Sequence, residues 1–160
     1  MSKVFKVLTL LMVFVLQSTL LGFIEIKGVK PDLLLIVVAL FSIFDGSFEG
    51  SIYGLIGGIL QDIFFGHAIG FNTFIYMIIG FILGELSKNL FKEKYITAMS
   101  MVLLATSIKY IVYILVMIII NNFTSFTPIL YVILFEMIYN SVVSYIVYRL
   151  IIKFEKKRNY

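Results

Sequence analysis

Three ionisable residues, Asp62, Lys109 and Glu136, stand inside long apolar runs. A charge that faces hydrocarbon is costly, so each needs an opposite charge, a polar neighbour or a neutral form. Two kinds of chemistry are open to such groups. They can tie helices together as structural ion pairs, or they can form a relay for protons or a solute. Glu136, Asn140 and Ser144 fall at i, i+4 and i+8, which makes one polar stripe on a helix, and Thr106, Lys109, Tyr110 and Tyr113 share a face of the preceding run. Lys109 lies eleven residues before Ile120, about 16 Å below the end of its run at 1.5 Å per residue. Glu136 lies eight residues after Pro128, about 12 Å below the same end. In an antiparallel hairpin these depths are similar, and the two charges are expected to neutralise each other. Asp62, about 6 Å from that end by the same rise, is the rival partner for Lys109. Asp32 directly follows Pro31 at the start of another run. There a carboxylate accepts from exposed backbone N–H groups and suits the positive end of the helix dipole, so Pro31 and Asp32 are expected to cap a helix.

Other chemistries are poorly served. Cysteine is absent, which removes disulfides, thiolate metal sites and a cysteine nucleophile. The single His67 and the scattered carboxylates form no metal-ligand pattern. No phosphate-binding loop, nucleophile elbow or paired acid–base motif occurs, so neither an enzyme nor a bound cofactor is expected. The net charge of +4 falls between and beside apolar runs. That is the distribution membrane topology requires, not a nucleic-acid patch.

The elements that carry these residues are membrane helices. Of the 160 residues 61% are apolar and 14% charged, against roughly half and a quarter in a soluble domain. A lipid solvent accounts for that excess. Six apolar runs follow one another: 4–24, 33–44, 49–65, 68–84, 95–120 and 128–152. The first has lysines before it, like a signal peptide, but it is longer than a signal's apolar region. No small-x-small cleavage site follows, so an uncleaved helix is expected. The second is short for a span of roughly 30 Å. It either crosses with help from residues 29–31 or forms a re-entrant hairpin with the third. Residues 1–152 are expected to form one polytopic domain, with 153–160 a short basic tail.

Orientation follows from the basic residues. With the amino terminus inside and six spans, the inner side holds Lys3, Lys6, Lys88, Lys92, Lys94, Arg149, Lys153, Lys156, Lys157 and Arg158, and the outer loops hold Lys27 and Lys30. Ten against two is a strong positive-inside bias, so both termini are expected in the cytoplasm.

Small residues are also patterned. Gly46, Gly50, Gly54, Gly58, Gly66 and Gly70 keep intervals of four, with Asp62 at the missing step, and Gly80 and Gly84 repeat the spacing one helix later. Such a face lets another backbone approach closely. It serves packing within the bundle or docking of a partner's helix, and the spacing alone allows either.

The stretch KPDLLLIVVALFSIFDGSFEGSIYGLIGGILQDIFFGHAIGFNTFIYMIIGFILGEL resembles the rod shape-determining MreD family. The likeness is carried by Pro31-Asp32-Leu33 and by a glycine-rich helix with Gly54, Gly57, Gly58 and Asp62. It continues through Gly66, Gly70, Tyr76, Gly80 and Gly84. The resemblance implies a non-enzymatic component of the bacterial elongation machinery in the cell membrane. It implies work with an MreC-like bitopic protein, the actin-like MreB, the polymerase RodA and its transpeptidase, coupling filaments to side-wall peptidoglycan synthesis. The family is also similar in fold to the substrate-binding subunits of energy-coupling-factor transporters. The alternative implied is a solute- or vitamin-binding membrane subunit, although the first helix lacks the Ala-x-x-x-Ala pattern with which such subunits meet their coupling partner.

Overall fold

Runs of Leu, Ile, Val, Phe and Met with few breakers become six α-helices in the computed structural model, which describes residues 2–20, 25, 28–65, 70–90, 94–120 and 126–158. They are α1 (Lys3–Leu20), α2 (Leu33–Asp45), α3 (Ser47–Phe65), α4 (Phe71–Leu86), α5 (Tyr95–Ile119) and α6 (Phe126–Arg158), with a 3-10 turn at Ser87–Asn89. The chain is all-helical among the described residues. By length and composition, α5 and residues 129–154 of α6 are able to cross a bilayer on their own, while α2 and α4 are shorter apolar helices. The Gly66-His67 turn, Lys27, Lys92 and the connection 121–125 lie outside the described residues.

The shortest helix is the centre. Every residue from Leu34 to Ile43 is buried, and α2 touches each of the other five helices. Around it α1 meets α3, α3 meets α4, α4 meets α5 and α5 meets α6. Thirteen residues make a rod of about 20 Å, against roughly 30 Å of hydrocarbon. The amino-terminal end of α2 lies within the bundle, where Val29, Pro31 and Asp32 are buried. Irregular backbone in an apolar setting is tolerated when protein covers it, and here it is covered.

The tightest contact joins α3 and α4 through glycine. A Cβ built on Gly54 would run into the Tyr76 carbonyl and come within 2.8 Å of Met77 Cα, and one on Gly58 would lie 2.7 Å from Asn72 O. Gly50 and Gly80 face each other's carbonyls, and Gly84 abuts Gly46 and Ser47. The spaced glycines of both helices thus meet inside the bundle, backbone to backbone, as small-residue faces do in membranes.

Two helix ends differ from the expected ones. α6 begins at Phe126 and continues without a break to Arg158, through what sequence reading sets apart as a basic tail. No glycine or proline occurs between positions 129 and 158 to stop it. α4 starts at Phe71 and not at 68, because Gly70 stands before it at φ +95° and a carboxylate reaches over its first turn.

Candidate functional site

Lys109, near the middle of α5, brings together residues from four helices. Its Nζ lies 2.7 Å from Glu136 Oε1 on α6 and 2.7 Å from Asp32 Oδ2 at the head of α2. The Tyr76 hydroxyl of α4 donates to the same Asp32 oxygen, and the Tyr110 hydroxyl donates to Glu136 Oε2. Asn140, one turn beyond Glu136, accepts from the Asp32 backbone N–H at 2.8 Å. Its amide donates to Thr106 Oγ1 at 3.1 Å and to Glu136 Oε1 at 3.4 Å.

Asp32 does two things here. Its Oδ1 accepts from Leu35 N at 3.1 Å, which caps α2, and its Oδ2 takes the lysine. Two carboxylates share one ammonium, so the cluster retains a negative charge when both acids are ionised. Two phenol hydroxyls, an amide and a helix N-terminus supply the donors that disperse it. Among the described residues, every buried side-chain N or O has a hydrogen-bond partner. The cluster also joins two parts of the bundle. Asp32 and Tyr76 belong to the α2–α3–α4 unit, whereas Thr106, Lys109, Tyr110, Glu136 and Asn140 belong to the α5–α6 hairpin.

Sequence reading groups other residues with this cluster that the structure puts elsewhere. Ser144 donates to Ser141 O of its own helix, and Tyr113 packs its ring against Phe71 and Tyr110. Asp62, the rival partner for Lys109, turns to the first turn of α4. It accepts from Gly70 N, Asn72 N, Asn72 Nδ2 and Thr73 N at 2.9 Å each, and from Thr73 Oγ1 at 2.6 Å. It is a cap supplied by the preceding helix, and it satisfies N–H groups that α4 would otherwise leave open. Replacing Asp62 with alanine should therefore unfasten the α3–α4 corner at a cost of about 3 kcal/mol, given that bonds to a charged acceptor are the strong ones. Asp62→Asn should keep much of the cap. The check is the denaturant midpoint of each purified variant in detergent; equal midpoints for Asp62→Ala and wild type would refute the capping role.

A second polar group escaped sequence reading. At the other end of α2, Lys6 Nζ lies 2.5 Å from Asp45 Oδ1 with its side chain only 1% exposed, and stands over the Phe41 ring at 5.2 Å. Tyr53 donates to Asp45 Oδ2 at 2.7 Å, and Lys3 pairs with Glu49 at 2.5 Å. Near the far end of α1, Gln17 donates to Gln61 at 3.0 Å and accepts from Leu34 N at 3.1 Å. A signal existed. Lys6 lies eleven residues before Gln17, and Asp45 eleven after Leu34, so antiparallel α1 and α2 hold the charges at one depth.

A model of the family described as rod shape-determining protein MreD matches residues 1–158 of the chain. No curated protein and no solved structure matches, so the likeness in fold to energy-coupling-factor subunits has no counterpart in these comparisons.

Proposed function

We propose that this chain, which belongs to the MreD family of rod shape-determining membrane proteins, is a non-enzymatic scaffold of the bacterial cell-elongation machinery. In this reading the chain crosses the cell membrane six times, at α2 with the help of residues 29–31, and both termini lie in the cytoplasm, which agrees with the ten-to-two distribution of basic residues. It helps couple cytoskeletal filaments of the MreB kind to side-wall peptidoglycan synthesis, beside an MreC-like bitopic protein, RodA and the transpeptidase. The observation that carries the proposal is the family match along residues 1–158.

The bundle's chemistry agrees with a scaffold. The charges inside it are spent on one another, Lys109 on Asp32 and Glu136, and Lys6 on Asp45. Connections such as Gly46 between α2 and α3 are too short to build a domain outside the membrane. Partners must then meet the lipid-facing sides of the helices or their cytoplasmic ends.

Depletion of the protein in a rod-shaped host should make cells widen and round up, with uptake of vitamins and other solutes unchanged. Affinity purification from native membranes should recover the bitopic partner. Cells that keep their shape but lose import of a vitamin, or recovery of paired ATPases, would move the assignment to a transporter subunit.

A further inference from the structure

Helix α6 does not stop where its apolar residues do. It runs for 33 residues, about 50 Å at 1.5 Å per residue, against a hydrocarbon core of roughly 30 Å. Aromatic rings mark the level at which it leaves. Tyr145 meets Tyr95, the first residue of α5, edge-on with ring centroids 5.8 Å apart. Arg149 stands 5.7 Å from the Tyr145 ring centre, and its Nε donates to that hydroxyl at 3.3 Å. Tyrosine and arginine at the end of a neighbouring helix are the usual furniture of a membrane–water boundary.

Beyond Arg149 the helix continues for nine residues, about 14 Å, which is more than the roughly 5–8 Å of one headgroup layer. Along it Arg149, Lys153, Lys156 and Lys157 hold positions i, i+4, i+7 and i+8, which share one face of a continuous helix. Glu155 and Arg158 fall outside that face. On its flank Leu150 and Phe154 are 52% and 56% exposed, while Ile151 is buried in the core. The Phe154 ring lies 6.5 Å from Phe5, which ties this stretch to the start of α1.

We propose that this projecting end of α6 is a binding face for anionic phospholipid headgroups. Arg149 and Lys153, both exposed, stand at phosphate level, and the helix backbone sets positions 156 and 157 on the same face one turn on. Beside these charges Leu150 and Phe154 stay exposed, an apolar flank next to the basic face. Topology retention requires positive charge on one side of the membrane, but it requires neither a common face nor exposed apolar residues beside it. A basic face that begins at the level of the Tyr145 and Tyr95 rings favours lipid over a cytoplasmic protein. The inference rests on the reading of the chain as a membrane component, and is independent of its role in cell shape.

The test uses the full chain in phosphatidylcholine vesicles, with spin-labelled phosphatidylglycerol and spin-labelled phosphatidylcholine compared as probes of the motionally restricted lipid. Wild type should prefer phosphatidylglycerol about fivefold at low salt, the factor expected of one surface cation. The preference should fade toward parity near 1 M salt, where the Debye length is about 3 Å. Lys153→Gln/Lys156→Gln/Lys157→Gln should approach parity already at low salt, and the corresponding triple change to arginine should keep the preference. Equal association of the two probes with wild type would overturn the proposal, as would a preference that survives high salt. A glutamine variant that keeps the wild-type preference at low salt would also overturn it, and if that variant does not reconstitute, Lys153→Gln alone is read in its place. A charge-dependent preference in vesicles, with depleted cells keeping their rod shape, would sink the elongation reading and leave the lipid face standing.

Discussion

Replacing Lys109 with methionine should remove nearly all of the folded protein from the membrane. Asp32 and Glu136 are 4% and 6% exposed, and each has Lys109 as its cation at 2.7 Å. Without the ammonium two carboxylates face one another among apolar helices. Breaking a buried pair from one side costs about 3–5 kcal/mol, a large part of the 5–15 kcal/mol that holds a typical domain together. Asp32→Asn and Glu136→Gln should be much milder, because each leaves a one-to-one pair. Asparagine at 32 also keeps an acceptor for Leu35 N, so that variant separates the loss of charge from the loss of the cap. Exchanging Lys109 and Glu136 should recover only part of what each single change loses, because the acid moved to position 109 would face Asp32. Membrane accumulation by immunoblot, with resistance to detergent unfolding as the second readout, ranks the series. Wild-type levels of Lys109→Met, or equal losses for all three single changes, would refute the shared-lysine description.

Depth along an antiparallel hairpin makes the meeting of Lys109 and Glu136 legible, because helical rise alone sets it. The part of Asp32 was legible only as a cap. Its depth depends on α2 beginning inside the bundle, and a 13-residue helix reveals that only once the surrounding helices are in place. The shortness of the apolar run 33–44 is the visible trace, and it allows a span helped by residues 29–31 with a re-entrant hairpin as the competing reading. Asp62 shows the opposite failure. Its distance from the helix end was easy to count, but its donors are backbone N–H groups at Gly70, Asn72 and Thr73. Those are brought over it by a turn whose geometry no periodicity encodes.

A basic residue near a helix end is not always a free surface charge. Lys6 counts as an inside positive charge by sequence, yet its side chain is packed against Phe41 and bound to Asp45. A lysine two residues inside an apolar run has a stem long enough to be buried with its head paired. Apolar patterning ends the sixth run at 152, although hydrophobicity ends at a membrane surface and helicity does not have to. Helices stop where glycine, proline or a competing side chain stops them, and positions 129–158 contain neither glycine nor proline.

The glycine spacing told which face is small but not what lies against it, and the structure puts α4 there. Gly54→Ala should then cost about 3 kcal/mol or more, at or beyond the upper end of ordinary overpacking, because the obstacle is backbone. The methyl group would meet the Tyr76 carbonyl and Met77 Cα, atoms that cannot turn aside as a side chain would. Moving α4 away is the only relief. That would drag Tyr76 from Asp32 and Thr73 from Asp62, so damage at one glycine reaches both polar clusters. Gly58→Ala, facing Thr73 Cα and Asn72 O, should behave alike. Gly57→Ala is the internal control. Its Cβ would approach Val38 Cγ2 at 3.0 Å, a side-chain methyl able to shift by a few tenths of an ångström, so a loss of about 1 kcal/mol or less is expected. Detergent-unfolding midpoints of the three purified variants should fall with Gly54 and Gly58 together at the bottom and Gly57 near wild type. If the Gly54 and Gly58 variants match the Gly57 variant, backbone-to-backbone contact between α3 and α4 is not what the glycines are for. The face would then be free to receive another protein's helix.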